Sequence, residues 1–256
     1  MNLCIDVGNT TIGVGLFKED QLIKKLSFAV DLKRTDDEYR SVINRTLKDF
    51  DIGAKDVNGI ILSSVVPSIS DPLSRAIKSV FSCEVMTIAP GIKTGLTVHV
   101  DNPSEIGNDL IADMVGVKAK YGYPSLIVDL GTASKVLLID RTGTFVSCVI
   151  MPGLSLSLNS LTTKAALLSE VALKTPRGIM AKNTGDAINA GMIYGHTDMI
   201  LGIIKRYEDE LGYICHHILT GGGAIYVKDL FKGDWKYDSD VCLEGLNVIY
   251  RKNEGK

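Results

Sequence analysis

Two short stretches of this sequence carry residues of the type and spacing that hold phosphate groups. Asp6-Val7-Gly8-Asn9-Thr10-Thr11 follows the apolar run Leu3-Cys4-Ile5 and leads into Ile12-Gly13-Val14. Asp129-Leu130-Gly131-Thr132-Ala133-Ser134 follows Leu126-Ile127-Val128 and leads into Val136-Leu137-Leu138-Ile139. Each reads as strand, glycine-bearing polar turn, strand. Glycine lets backbone approach a ligand closely, and small polar neighbours leave backbone N–H groups to face phosphate oxygens. An acid at the strand end suits a hydrated Mg²⁺. Taken singly, either stretch also marks an ordinary hairpin turn. As a pair, one opening the chain and one near its midpoint, they indicate two related halves and a nucleotide clamped from both sides of a cleft.

A third carboxylate, Asp109, lies in Asn102-Pro103-Ser104-Glu105-Ile106-Gly107-Asn108-Asp109-Leu110. Near a γ-phosphate such a group orients and deprotonates an attacking hydroxyl. The alternative is an acid in a helix's first turn, favoured there by the macrodipole. Thr220-Gly221-Gly222-Gly223 after an apolar run offers flat backbone to a purine or is a plain strand-to-helix turn. Lys182-Asn183-Thr184 caps a helix through Asn183 or Thr184, or aims Thr184 at a substrate.

Composition narrows the classes. The chain has 256 residues, 45% hydrophobic and 23% charged, with net charge −2. That is ordinary globular composition, and it gives no electrostatic footprint for nucleic acid or an anionic membrane. The start lacks a basic n-region and an apolar h-region, and no apolar run is long enough to span a bilayer, so the sequence reads as cytoplasmic. Its five cysteines are scattered, without a C-x-x-C pair, and read as buried thiols. P-loop and G-x-G-x-x-G signatures are absent.

These residues need elements to position them. After the first hairpin, Gln21–Val30 reads as a third strand. Thr35 with Glu38 forms a capping box for a helix closed by Gly53. A strand over 59–67, a helix over 69–80 and a strand over 84–88 follow. The second half repeats the plan: a helix over 104–120, strands at 125–129, 135–140 and 145–151, helices near 155–170 and 183–209, a strand at 217–220 and a helix over 243–253. This order predicts an α/β protein of two actin-like (ribonuclease H-like) domains. Mixed sheets flanked by helices would carry the nucleotide cleft between them. The expected domains are 1–100 and 101–256, with the hinge at 89–103.

Together the motifs resemble one family, type III pantothenate kinase of the acetate-and-sugar-kinase/actin superfamily. They are Asp6-Val7-Gly8-Asn9-Thr10, Ser63-Ser64-Val65-Val66-Pro67, Gly91-Ile92-Lys93-Thr94-Gly95-Leu96, Asn102-Pro103 through Gly107-x-Asp109, and Asp129-x-Gly131-Thr132-Ala133. Pro152-Gly153, Lys182-Asn183-Thr184, Thr220-Gly221-Gly222 and Leu243-Glu244-Gly245-Leu246 complete the set, in family order over nearly the whole chain. The resemblance implies a homodimer that converts ATP and pantothenate to ADP and 4′-phosphopantothenate, the first step toward coenzyme A. Residues Asp6, Val7, Gly8, Asn9, Thr10, Thr11, Ile12 and Gly13 would form one phosphate loop and Thr132 the second. Asp109 would be the base. Asp129 would hold a monovalent cation, K⁺ or NH₄⁺, and Mg²⁺ would accompany ATP. Gly107, Asn108, Asp109, Leu110 and Thr184 would border pantothenate.

The chain also departs from the family pattern. Leu110 stands where the family has arginine, whose fork suits anionic oxygens. Val100 replaces an aromatic, Ser134-Lys135 replaces Thr-Thr, Ser147-Cys148 replaces Gly-Gly, and Ser169 replaces proline. Lys135 either supplies the missing positive charge from a new direction or points away, since strand alternation allows both. The departures point to the acceptor side, with the ATP side intact. They keep two other functions in play: a kinase for another small hydroxyl acceptor, and a nucleotide-binding regulatory paralogue with little turnover.

Overall fold

The computed structural model describes residues 1–164 and 171–254. The chain divides into two compact units. One holds Met1–Leu96, Asp101–Lys120 and Asp240–Lys256, and the other holds Thr97–Val100 and Tyr121–Ser239.

The first unit is built on strands β1 (Asn2–Val7), β2 (Thr11–Lys18), β3 (Gln21–Ala29), β4 (Gly59–Ser64) and β5 (Val85–Thr87), in the order β3-β2-β1-β4-β5. β1, β2 and β3 pair antiparallel, while β4 and β5 continue the sheet parallel to β1. Side chains alternate across β1. Leu3, Ile5 and Val7 join the core beneath α1 (Asp36–Phe50) and α2 (Pro67–Val80) with Tyr39, Leu47 and Leu73. Cys4 and Ile61 face the other way, toward α3 (Asn108–Lys120) and α8 (Val241–Asn253), and pack with Ala112, Val115 and Leu246. Both faces of the sheet are covered, which is why β1 reads as a nearly continuous apolar run.

Helix α1 starts as its sequence predicts. The Thr35 side chain accepts from the Glu38 N–H while Glu38 Oε2 accepts from the Thr35 N–H at 2.7 Å. It ends earlier than expected, at Phe50, because Asp51 takes a left-handed C-cap at φ 58°. The helix expected over 104–120 is also interrupted. Pro103–Glu105 forms a 3₁₀ turn, and α3 begins afresh at Asn108 after Gly107.

The compact units do not follow a single cut at residue 100. α3 and α8 lie against each other and against the first sheet, so 101–120 and 240–256 fold with the N-terminal strands. Two glycines make the crossing close. A Cβ at Gly116 would run into the Val241 carbonyl, and one at Gly245 into the Ala112 carbonyl and the Gly116 N–H. Segment 89–103, expected as a hinge, is divided as well: Ile92 and Leu96 pack in the first unit, while β6 (Thr97–Val98) pairs with a strand of the second.

That second unit has β7 (Ser125–Leu130), β8 (Ala133–Ile139), β9 (Thr144–Pro152), β10 (His216–Thr220) and β11 (Trp235–Tyr237). The sheet runs β11-β10-β7-β8-β9-β6. Without the β6 edge, this is the same strand order and the same mixture of antiparallel and parallel pairs as the first sheet. Around it stand α4 (Leu154–Lys164), α5 (Thr184–Ala190), α6 (His196–Leu211) and the short α7 (Ala224–Val227). The single helix expected over 183–209 is α5 and α6 joined by a π turn at Gly191–Gly195. The helix expected near 155–170 is present to Lys164; its remainder, with Ser169, lies outside the described residues. Among the described residues, no helix is long and apolar enough to cross a membrane.

Candidate active site

In the first unit, the predicted residues collect at the carboxyl ends of β1 and β4, where open α/β sheets bind ligands. Asp6 lies opposite Ser63 in the parallel register and opposite Gly13 in the antiparallel one. By alternation, Asp6 and Ser63 share the face of Cys4 and Ile61, the face covered by α3 and α8. The Ser63 hydroxyl is fully buried and has no hydrogen-bond partner among the described residues. The hairpin tip is closed by the Gly8 N–H donating to the Thr11 carbonyl at 3.0 Å, leaving Asn9, Thr10 and Thr11 exposed. Val7 and Ile12 are fully buried. Their side chains belong to the core, which leaves their backbone as the part able to meet a ligand. The carboxylate, hydroxyls and amide at this edge fit Mg²⁺ and phosphate oxygens as a donor set.

Asp109 stands at the same edge. It is in the first turn of α3, and its carboxylate folds back over Gly107, whose missing Cβ leaves the space it occupies. A Cβ on Gly107 would also lie 3.8 Å from Val65 Cγ1, directly beyond β4. Val65 is held by its N–H donating to the Val7 carbonyl at 3.0 Å. Ser64 Oγ accepts from the Val66 N–H at 3.2 Å and from Ser70 Oγ at 2.8 Å, which fixes the turn into α2. Asn108 is half-buried beside Asp109. Leu110 is buried and presents no donor.

The second unit repeats this edge with different chemistry. Asp129, 8% exposed, is the next-to-last residue of β7, opposite Thr220 of β10 and opposite Lys135 of β8. Thr132 is exposed at the hairpin tip. Its carbonyl accepts from the Gly153 N–H at 3.1 Å, and a Cβ at Gly153 would collide with the tip backbone. Gly221, at φ +86°, presses on the end of β7: a Cβ there would lie 2.5 Å from Asp129 Oδ1 and from Leu130 N. Gly153 and Gly221 are therefore parts of this edge that the residue-by-residue reading missed, although Pro152-Gly153 and Thr220-Gly221 were visible as motifs. Thr184 is exposed as the first residue of α5, whose cap is Asn183 accepting from the Asp186 N–H at 2.8 Å.

Lys135 turns inward. Its Nζ donates to Asp129 Oδ2 at 2.7 Å, and the two side chains are 16% and 11% exposed. This bears on the monovalent cation expected at Asp129. The Lys135 ammonium occupies one oxygen of the carboxylate to which the resemblance assigns that cation.

The other departures pack around the same strands. Ser134 is fully buried, with Oγ 2.8 Å from His196 Nε2. Burial holds the His196 imidazole below its ordinary value of 6.5. Ser147 Oγ is 2.9 Å from the Tyr207 hydroxyl. Burial pushes the Cys148 thiol up, with the Lys135 charge acting in the opposite sense. The changes at 134, 135, 147 and 148 thus lie on the paired strands β8 and β9.

Comparison with known proteins follows the same lines. The model of the family described as type III pantothenate kinase matches residues 2–206. A type III pantothenate kinase from Exiguobacterium sp. is 37% identical over 254 residues, covering 99% of this chain and all of the relative. One from Agathobacter rectalis is 34% identical over 257 residues, covering 100% of this chain and 99% of the relative. Two solved structures share the fold. A putative 2-dehydro-3-deoxygalactonokinase from Sinorhizobium meliloti has a TM-score of 0.61 at 10% identity, with 100% and 98% of the two chains covered. A conserved putative Baf family transcriptional activator from Campylobacter jejuni has 0.59 at 18%, with 99% and 100% covered. The architecture is the actin-like fold of acetate and sugar kinases.

Proposed function

The chain belongs to the type III pantothenate kinase family, and from that premise we propose that it is an ATP-dependent kinase that phosphorylates pantothenate to 4′-phosphopantothenate. This is the first step of coenzyme A biosynthesis. The observation that carries the reading is full-length similarity at 37% to a type III pantothenate kinase, joined to an Asp109 carboxylate set over Gly107 at the ligand edge of the first sheet.

In this reading, the Asp109 carboxylate takes the proton of the acceptor hydroxyl as that oxygen attacks the γ-phosphorus of ATP. Gly8, Asn9, Thr10 and Thr11 offer donors to phosphate oxygens in the first unit, with Gly13 beside Asp6. In the second unit, Thr132 is the residue whose hydroxyl suits phosphate. Mg²⁺ bound with ATP would neutralise phosphate charge, and Asp6 is the residue suited to hold its hydration shell. Gly107, Asn108 and Thr184 border the acceptor. The protein acts as a cytoplasmic homodimer with no nucleic-acid or membrane partner; the near-neutral charge of −2 supports the last point.

Leu110 favours a second reading. It is buried and lacks a donor where the family has arginine, which suits a kinase for a different small hydroxyl-bearing acceptor. The test is ADP release by the purified protein with Mg²⁺-ATP, with and without pantothenate, beside Asp109→Asn. Pantothenate-dependent ADP and phosphopantothenate that disappear in the variant support the first reading. ATP binding without pantothenate-dependent turnover rejects it and directs the work to an acceptor screen, whose failure would leave the regulatory paralogue.

A further inference from the structure

The internal repeat supplies its own comparison for Lys135. In the first unit, the residue across from the strand-end Asp6 is Gly13. In the second, the residue across from the strand-end Asp129 is Lys135. Directly opposed residues of an antiparallel pair leave the same face with their Cβ atoms about 5 Å apart. The lysine stem folds over that gap and sets Nζ on Asp129 Oδ2 at 2.7 Å. Long cationic side chains at surfaces usually extend their heads to water. This one does not: it is 16% exposed against a carboxylate that is 11% exposed. The other carboxylate oxygen faces Gly221, where a Cβ would come within 2.5 Å of Oδ1. The carboxylate is thus fixed from both sides, one residue before the Leu130–Ala133 turn that carries Thr132.

We propose that the Lys135 ammonium is a tethered replacement for a monovalent cation at Asp129, so that nucleotide binding by this protein needs neither potassium nor ammonium. The proposal rests on the kinase reading for the expectation of a cation there. A lysine head is an ammonium ion on a stem. It carries the same charge as K⁺ or NH₄⁺, and its effective concentration at Asp129 is set by the chain rather than by the medium. Removing it would take a positive charge away from a buried carboxylate, which favours the entry of a solution cation.

The experiment compares wild type with Lys135→Thr in potassium, ammonium and tetramethylammonium chlorides at matched ionic strength. Three quantities are read: the thermal midpoint, thallous-ion binding by thallium NMR, and the affinity for Mg²⁺-ADP. Wild type is expected to bind no thallous ion, to show the same midpoint in all three salts, and to hold Mg²⁺-ADP within about threefold across them. Lys135→Thr is expected to bind one thallous ion, to gain thermal stability specifically with K⁺ or NH₄⁺, and to lose about tenfold in Mg²⁺-ADP affinity without them. Stoichiometric thallous-ion binding by wild type, or a potassium dependence in its nucleotide affinity well beyond threefold, overturns the proposal. So does a folded Lys135→Thr that takes up no thallous ion. If that variant does not fold, the wild-type measurements alone decide. Absence of Mg²⁺-ADP binding in every salt would count against the kinase reading, while thallous-ion binding would still decide the role of Lys135.

Discussion

Adding a single methyl group at Gly107 separates the position of the Asp109 carboxylate from the stability of the fold. A Cβ on Gly107 overlaps Asp109 Oδ1, lies 3.6 Å from Asp109 Cγ, and is in ordinary contact with Val65 Cγ1 at 3.8 Å. The overlapping atom is the far end of a rotatable side chain, so Gly107→Ala moves the carboxylate and leaves the backbone in place. Replacing glycine at a backbone geometry that alanine tolerates stabilises by about 0.4–1 kcal/mol through the unfolded chain. Forcing Asp109 off its rotamer costs about 0.5–1.5 kcal/mol. The two nearly cancel, so the thermal midpoint should move by no more than about 4 °C for a chain of this size. A displaced general base costs about 10²–10⁴ in rate, or about 3–5 kcal/mol of barrier at 1.36 kcal/mol per tenfold. The assay is pantothenate-dependent ADP release, with Mg²⁺-ADP affinity and thermal unfolding measured on the same preparation and Asp109→Asn alongside. The expected outcome is a large fall in kcat with nucleotide affinity and midpoint unchanged. A Gly107→Ala protein that keeps kcat within about threefold would refute the reasoning, because the carboxylate position would then not matter to the chemistry. A midpoint lowered by well over 4 °C would refute it differently, by showing that the backbone had moved.

Other expectations test the frame around the site. Gly245→Ala places a methyl against the Ala112 carbonyl and the Gly116 N–H; these atoms cannot rotate away, so denaturant unfolding should show a loss at or above the upper end of the usual 1–3 kcal/mol for overpacking. Thr35→Ala removes the α1 capping box and should cost about 1 kcal/mol by the same measurement, with nucleotide affinity unchanged. His196 gives a pH dependence: its folded value lies below 6.5 because of burial, so its contribution is complete above the unfolded value and is lost as pH falls from there toward the folded value. Urea titrations at pH 7.5 and 5.5 should show wild type losing more stability at the lower pH than His196→Gln does; equal losses would exclude the histidine as a source.

Some of this molecule was determined by short stretches of sequence. The two Asp-x-Gly hairpins, the third strands and the α1 capping box were legible because each depends on residues close in the chain: apolar alternation, a glycine-bearing turn, and Thr35 facing Glu38. The shared strand order of the two sheets was foreseeable for the same reason, since the pattern of elements simply recurs. Asp109 in a first helical turn was legible too, although the helix start moved to Asn108 once Pro103 and Gly107 divided the segment.

Tertiary structure decided the rest. Residues 101–120 and 240–256 fold with the first sheet because Gly116 and Gly245 let two helices approach backbone to backbone, and nothing local links positions so far apart in the chain. Val7 and Ile12 fall within the phosphate loop that the family resemblance implies, and the sheet turns their side chains into the core. Gly107, expected beside the substrate, also provides the space in which the Asp109 carboxylate rests. The direction of Lys135 was undetermined by strand alternation, because the faces of a sheet acquire identities only when other elements pack on them. The opposed register of β7 and β8, with Gly221 behind Asp129, gives Lys135 its partner. Short-range spacing writes the strands and turns; which charge meets which is settled by pairing across the sheet.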